Sequence, residues 1–158
     1  MKTRNRKHGL SLLEMLIVVG VIAILATMVI SVASRIDNHA KEKGTKSLLA
    51  LLDSALEDYH EFTGRFPEQP ETDPSNAVIH SEFLYGELSS IPDVQKILKK
   101  LSNSSIENKY GTAATAAEIY DPWGTPLDYR YIVSDHFPLL VSAGPDKTFE
   151  TADDISNR

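Results

Sequence analysis

The run from Leu10 to Ile30 constrains this chain more than any other part of it. About 21 residues long and apolar apart from Ser11, Glu14 and Thr27, it would cover roughly 30 Å as a helix, the thickness of a bilayer's hydrocarbon core. Ahead of it stand Lys2, Arg4, Arg6 and Lys7 with no acid among them. The positive-inside rule keeps such an end in the cytoplasm and puts everything after Ile30 across the membrane. An ordinary signal peptide has its small-residue cleavage site after the apolar region, whereas the small residue at a boundary here is Gly9, before it. A cut at Gly9 keeps the helix. Glu14 is the anomaly, because a carboxylate at bilayer depth costs about 2.5–3.5 kcal/mol unless something offsets it.

Charge sorts the rest. Removing the four leader cations takes the formal net charge from -6 to -10, so the body is acidic. A phosphate-binding surface needs clustered Lys and Arg, and nucleic acid is therefore not an expected partner. With no cysteine, neither a disulfide framework nor a thiolate metal site can form. The histidines His39, His60, His80 and His136 are scattered, and the chain carries no HExxH, nucleophile elbow or Gly-rich phosphate loop, so an enzyme is not expected.

Beyond Ile30, Leu48, Leu52, Ala55, Leu56 and Tyr59 recur at helical spacing with Lys46, Asp53, Glu57 and Asp58 between them. The pattern predicts one long helix from about Leu10 to Phe62, weakened at Gly44 and stopped by Gly64, with Pro67 beyond. Two short helices are expected, Ala77 to Leu88 and Pro92 to Leu101, the second opened by Ser90 and Pro92. SNSSIENKYGT reads as a loop. Residues 71–118 fit either a local cap on a sheet or a contact surface for a neighbour. In PLDYRYIV, Leu127, Tyr129, Tyr131 and Val133 alternate with other positions and predict a half-buried strand. HFPLLVS reads as its returning partner after a turn at Ser134 and Asp135. The fold class is α+β, with a small antiparallel sheet packed on the C-terminal half of the long helix.

Two further stretches stand out. Asp121, Pro122, Trp123 and Gly124 form a turn in which Asp121 caps, Gly124 permits the bend and Trp123 packs on the core. The tail SAGPDKTFETADDISN gathers Asp146, Glu150, Asp153 and Asp154 with Lys147 as its single cation. Calcium takes six to eight oxygens from carboxylates and carbonyls, but the spacing is not the twelve-residue helix-loop-helix pattern. Composition leaves a calcium loop and a solvated acidic turn both open.

The order Gly9, Leu10, Ser11, Leu12, Leu13, Glu14 resembles the class III leader of type IV pilins and type II secretion pseudopilins. The resemblance implies cleavage by a prepilin peptidase between Gly9 and Leu10 and N-methylation of Leu10. It also implies that Glu14, the fifth residue of the mature chain, pairs with the amino terminus of a neighbouring subunit in a helical filament. That pairing gives the buried acid its cation and sets the register of assembly. The family more often has Phe where Leu10 stands, and pseudopilins often have a proline near Ser31. Together with the leader, DPWG and the tail pattern SxGPD…DDI…Asn resemble the major pseudopilin group, the general secretion pathway protein G family. This likeness implies a structural Ca2+ held by Asp146, Asp153 and Asp154, with the carbonyls of Leu140, Ala143 and Phe149 completing the shell. The family often has Gly where Lys147 stands and Trp where Arg158 stands.

The division expected is a leader at residues 1–9, a transmembrane and filament-core segment at 10–30, and a periplasmic head at 31–158. The function implied is that of a homo-oligomeric pseudopilus subunit in the bacterial inner membrane, a single-pass protein that works with minor pseudopilins and an inner-membrane assembly platform to drive protein export. A type IV or competence pilus subunit and a single-span membrane-anchored binding protein are the alternatives.

Overall fold

The structure, a computed structural model, describes residues 12–102, 104–110 and 117–158, with the backbone alone described for 28–33. The expected α+β architecture is present. Helix α1 (Leu12–Thr63) is followed by a 3-10 turn (Pro74–Asn76), α2 (Ala77–Ser89), α3 (Pro92–Leu98), β1 (Ile106–Glu107), β2 (Glu118–Ile119), β3 (Asp128–Arg130), β4 (Leu139–Ser142) and β5 (Ile155–Ser156). The chain divides into two compact units, Met1–Asn38 and His39–Arg158.

In the first unit every described side chain from Leu12 to Thr27 is exposed. An apolar stripe on one side of a helix belongs against a core, but a segment that is apolar all round belongs in lipid or among partners. Thr27 hides its polarity by donating its hydroxyl to the Ile24 carbonyl at 2.7 Å, the usual accommodation of a hydroxyl on a helix. Among the described residues no helix is long and apolar enough to cross a membrane. The run Leu10–Ile30 extends past the described side chains at both ends.

In the second unit α1 becomes amphipathic as expected, and Leu48, Leu49, Leu52, Ala55, Leu56 and Tyr59 form one side of the core. The helix ends where glycine allows it: Gly64 takes φ +76° and its N–H donates to the His60 carbonyl at 2.8 Å. Gly44 faces Pro122, whose Cγ lies 3.5 Å from where a Cβ would be, so glycine there marks a close approach with room for one methyl.

The middle region is part of the core. Leu84 and Leu88 of α2, Ile91, Val94, Leu98 and Leu101 join the same cluster as Leu127, Tyr129 and Leu140 from the sheet side. Burying each such side chain is worth about 1.5–3 kcal/mol, so α2 and α3 contribute much of what holds this unit together. Ser90 does not open α3 as expected. Its hydroxyl donates back to Glu87 at 2.6 Å, and Ile91 takes the cap position with no side-chain bond. The helix also ends three residues sooner, at Leu98, because Lys100 and Leu101 turn back through bonds to Ile97 and Leu98.

Two small antiparallel sheets replace the single hairpin the sequence suggests: β1 with β2, and β3-β4-β5. Strand β1 falls inside the stretch that reads as a loop, and β5 pairs with β4 through Val141↔Ser156 and Ser142↔Ile155. In β3 the alternation fails. Leu127, Asp128 and Tyr129 are all buried, whereas Val133 is 74% exposed. Helix α2 packs against β2 and β3, so β3 has protein on both faces and its polar positions are covered too.

Candidate functional site

Two places in the chain carry functional expectations, one in each unit. In the first, Gly9 and Leu10 lie outside the described residues, and Glu14 lies in the first described turn of α1 with its side chain exposed among Leu12, Leu13, Met15 and Leu16. Within the described sequence its nearest neighbours, Leu12, Leu13, Met15 and Leu16, are all apolar.

In the second, the tail loop is assembled from its own acids. Gly144 takes φ +66°, and a Cβ on it would meet the Asp153 carbonyl oxygen at 2.3 Å, so the two limbs of the loop close only on a glycine. Lys147 and Glu150 also adopt left-handed φ, 62° and 67°. Such conformations cost a non-glycine residue about 1–2 kcal/mol each. Carboxylates hold the resulting turns. Asp146 Oδ1 accepts from the Thr148 amide at 2.8 Å, Asp153 Oδ2 from the Asp146 amide at 3.1 Å, and Asp154 Oδ2 from the Glu150 amide at 2.8 Å. The Thr151 hydroxyl donates to Asp153 Oδ1 at 2.6 Å, and that bond above all holds the Asp153 carboxyl below the usual carboxylate range. Asp154 Oδ1 is buried and has no hydrogen-bond partner among the described residues.

The loop is docked at both ends. At one, the turn Asp121–Gly124 forms as expected. Asp121 Oδ1 accepts from the Trp123 amide at 3.0 Å and the Thr125 amide at 2.9 Å, and Gly124 takes φ +84°. The Ser142 hydroxyl donates to Asp121 Oδ2 at 2.6 Å and accepts from the Gly144 amide at 3.2 Å, so one serine ties DPWG to the start of the loop. At the other end, Asn157 Nδ2 donates to Asp53 Oδ1 on α1 at 2.7 Å and to the Pro138 carbonyl at 3.2 Å, while its Oδ1 accepts from the Leu140 amide at 3.0 Å. Burial raises the Asp53 carboxyl; the Asn157 bond opposes that and nearby Glu57 adds to it. Neither Ser142 nor Asn157 was visible as a staple, since each bonds to residues far away in sequence.

Of the expected metal ligands, Asp146, Asp153 and Asp154 share this loop, but no group of three or more His, Cys, Asp or Glu among the described residues is arranged to hold a metal ion. The Leu140 carbonyl already accepts from the Asn157 amide at 3.3 Å. Of the donors present, Asp154 Oδ1 suits an added cation, being a buried oxygen left without a donor.

Residues 4–30 match the prokaryotic N-terminal methylation motif, the prepilin-type leader of type IV pilins and pseudopilins. The match covers the leader and the start of α1, and it indicates the class: pilin-like subunits processed by a prepilin peptidase, a structural group rather than an enzyme family. The α+β arrangement of a long N-terminal helix, short helices and small antiparallel sheets is consistent with a pilin-like fold. No match emerges among curated proteins or among solved structures.

Proposed function

We propose that the chain is a subunit of a type II secretion pseudopilus, cut between Gly9 and Leu10, methylated on Leu10 and assembled through α1 into a short periplasmic filament that drives protein export. The reading is carried by the methylation motif at residues 4–30, which includes the apolar stretch of α1 whose side chains from Leu12 to Thr27 are all exposed. Its support for type II secretion in particular is the likeness of DPWG and the tail loop to major pseudopilins. The protein begins as a single-pass inner-membrane precursor with its head in the periplasm. Minor pseudopilins and an assembly platform are its working partners.

Filament growth exchanges lipid for neighbouring helices around the Leu12–Thr27 surface. Glu14 fixes the stagger, because only a subunit in register brings a positive amino terminus to its carboxylate. Protein taken from membranes is expected to start at a methylated Leu10, and Glu14→Ala to be processed normally but left out of filaments. A chain that still starts at Met1 overturns the reading.

Ca2+ is part of this proposal. Asp153 and Asp154, with Asp146 and the carbonyls of Ala143, Phe149 and Leu140, are the residues that would hold it. When bound, the ion supplies a positive centre for a loop whose left-handed residues and unpartnered Asp154 oxygen otherwise cost stability. Calorimetric titration of the full chain in detergent micelles should show Ca2+ binding that Asp154→Ala abolishes. No heat and no thermal shift in excess Ca2+ would exclude the ion.

A further inference from the structure

Apart from the tail loop, the described residues hold a buried ionisable cluster. His80 on α2 and Asp128 on β3 are both 0% exposed, and His80 Nδ1 meets Asp128 Oδ1 at 2.6 Å. Arg130 Nε holds the other oxygen, Asp128 Oδ2, at 2.6 Å. On its opposite edge the ring presents Nε2 to Glu71 Oε2 at 3.4 Å, and Glu71 is itself steadied by Asn76 Nδ2 at 2.5 Å from Oε1. A histidine 48 positions from its partner gives no sequence signal, which is why His80 reads from sequence as one of several scattered histidines.

The arrangement sets a condition on the proton. A neutral imidazole offers one N–H and one lone pair, whereas both ring nitrogens here face carboxylate oxygens, which only accept. The imidazolium satisfies both contacts. It also adds a second cation, beside Arg130, to a cluster whose acids are Asp128, Glu71 and Asp73. Asp73 also faces the cluster: the Ser75 amide first, and then His80 and Arg130, hold its carboxyl below the usual carboxylate range. Other charged groups around α2 are engaged elsewhere: Glu118 on β2 accepts from the Lys109 and Tyr110 amides, Asp93 pairs with Lys96 on α3, and Glu87 accepts from Tyr59 of α1.

We propose that His80 is a proton-operated bolt that fastens the 69–76 segment to α2 and β3. With both nitrogens protonated it bridges Asp128 and Glu71. As a neutral ring it keeps its Nδ1–H on buried Asp128 and lets go of Glu71, the half-exposed partner. The sign follows from the contacts: the closed segment holds the second ring proton, so its closure is firm at low pH and weakens as rising pH leaves the ring neutral. The edge it controls is the reciprocal pair Gln69 N–H to Tyr131 C=O and Tyr131 N–H to Gln69 C=O, each 2.9 Å. This inference is independent of the filament reading.

The test is NMR on the full chain in detergent micelles, reading the His80 ring nitrogens together with hydrogen-exchange protection of the Gln69 and Tyr131 amides. At about pH 5 both ring nitrogens should carry protons, and protection should fall about tenfold more by about pH 9 than at amides in β4. In Glu71→Gln the new amide can donate to a neutral Nε2, so the Gln69 and Tyr131 amides should keep their protection across the same range. A neutral ring at about pH 5, protection that ignores pH in the unaltered chain, or the same pH dependence in Glu71→Gln would each overturn the bolt.

Discussion

The apolar stretch of α1 and the loop from Ala143 to Asn157 place their difficult groups in opposite ways. From Leu12 to Thr27 the side chains stand exposed and nearly all are apolar, the pattern of a segment that belongs in lipid or among partners. In the loop the difficult groups are acids, and the chain itself supplies amide and hydroxyl donors to Asp146, Asp153 and Asp154. One region leaves its described apolar side chains uncovered. The other is nearly self-sufficient, with Asp154 Oδ1 its one buried side-chain oxygen left without a hydrogen-bond partner among the described residues.

The largest effect that tests this contrast comes from Asp121. Its buried carboxylate serves the Trp123 and Thr125 amides and the Ser142 hydroxyl, so Asp121→Ala strands three donors at once. At about 1–3 kcal/mol for each stranded group, partly relieved by water, the second unit should lose about 3–5 kcal/mol. For a protein of this size that is a fall in melting temperature of roughly 10–20 °C. Ile22→Ala, on the exposed apolar stretch, should leave the same transition within about 0.5 kcal/mol. Comparable losses from both substitutions would show that the apolar stretch is supported from within the chain, and the contrast would fail.

The same contrast explains what could be read from sequence. The apolar run, the amphipathic continuation and the Gly64 stop are local patterns, and helix α1 follows them to within a residue or two at its C-terminal end, Thr63. The DPWG turn was equally legible, since an Asp and a Gly at turn spacing act on their immediate neighbours. Contacts between distant segments were not. The alternation through β3 suggested one buried face, but α2 covers the other, so Asp128 is buried against His80 rather than facing water. Strand β5 and the Asn157 staple were hidden for the same reason: a two-residue strand and a single amide have meaning only beside β4 and Asp53. In the tail, sequence showed which acids gather but not that three of their oxygens are spent on the loop's own amides.

A smaller, signed pair of effects probes how self-sufficient the loop is. Gly144 and Lys147 both adopt left-handed φ, 66° and 62°, but only Gly144 is also pressed against another backbone, with the Asp153 carbonyl oxygen 2.3 Å from a would-be Cβ. Gly144→Ala therefore meets both a forbidden dihedral and a collision, and should cost about 2–4 kcal/mol with loss of the Asp146–Asp153 contact. Lys147→Gly removes a dihedral penalty of about 1–2 kcal/mol while giving the unfolded chain back part of that as freedom, for a net gain of about 0.5 kcal/mol. Thermal unfolding and hydrogen exchange at the Asp146 and Glu150 amides read both. If Gly144→Ala is tolerated, the loop opens far enough to accept a methyl group, and closure through its own carboxylates is not what organises it. If Lys147→Gly instead destabilises the loop, the lysine side chain contributes more than its strained backbone costs.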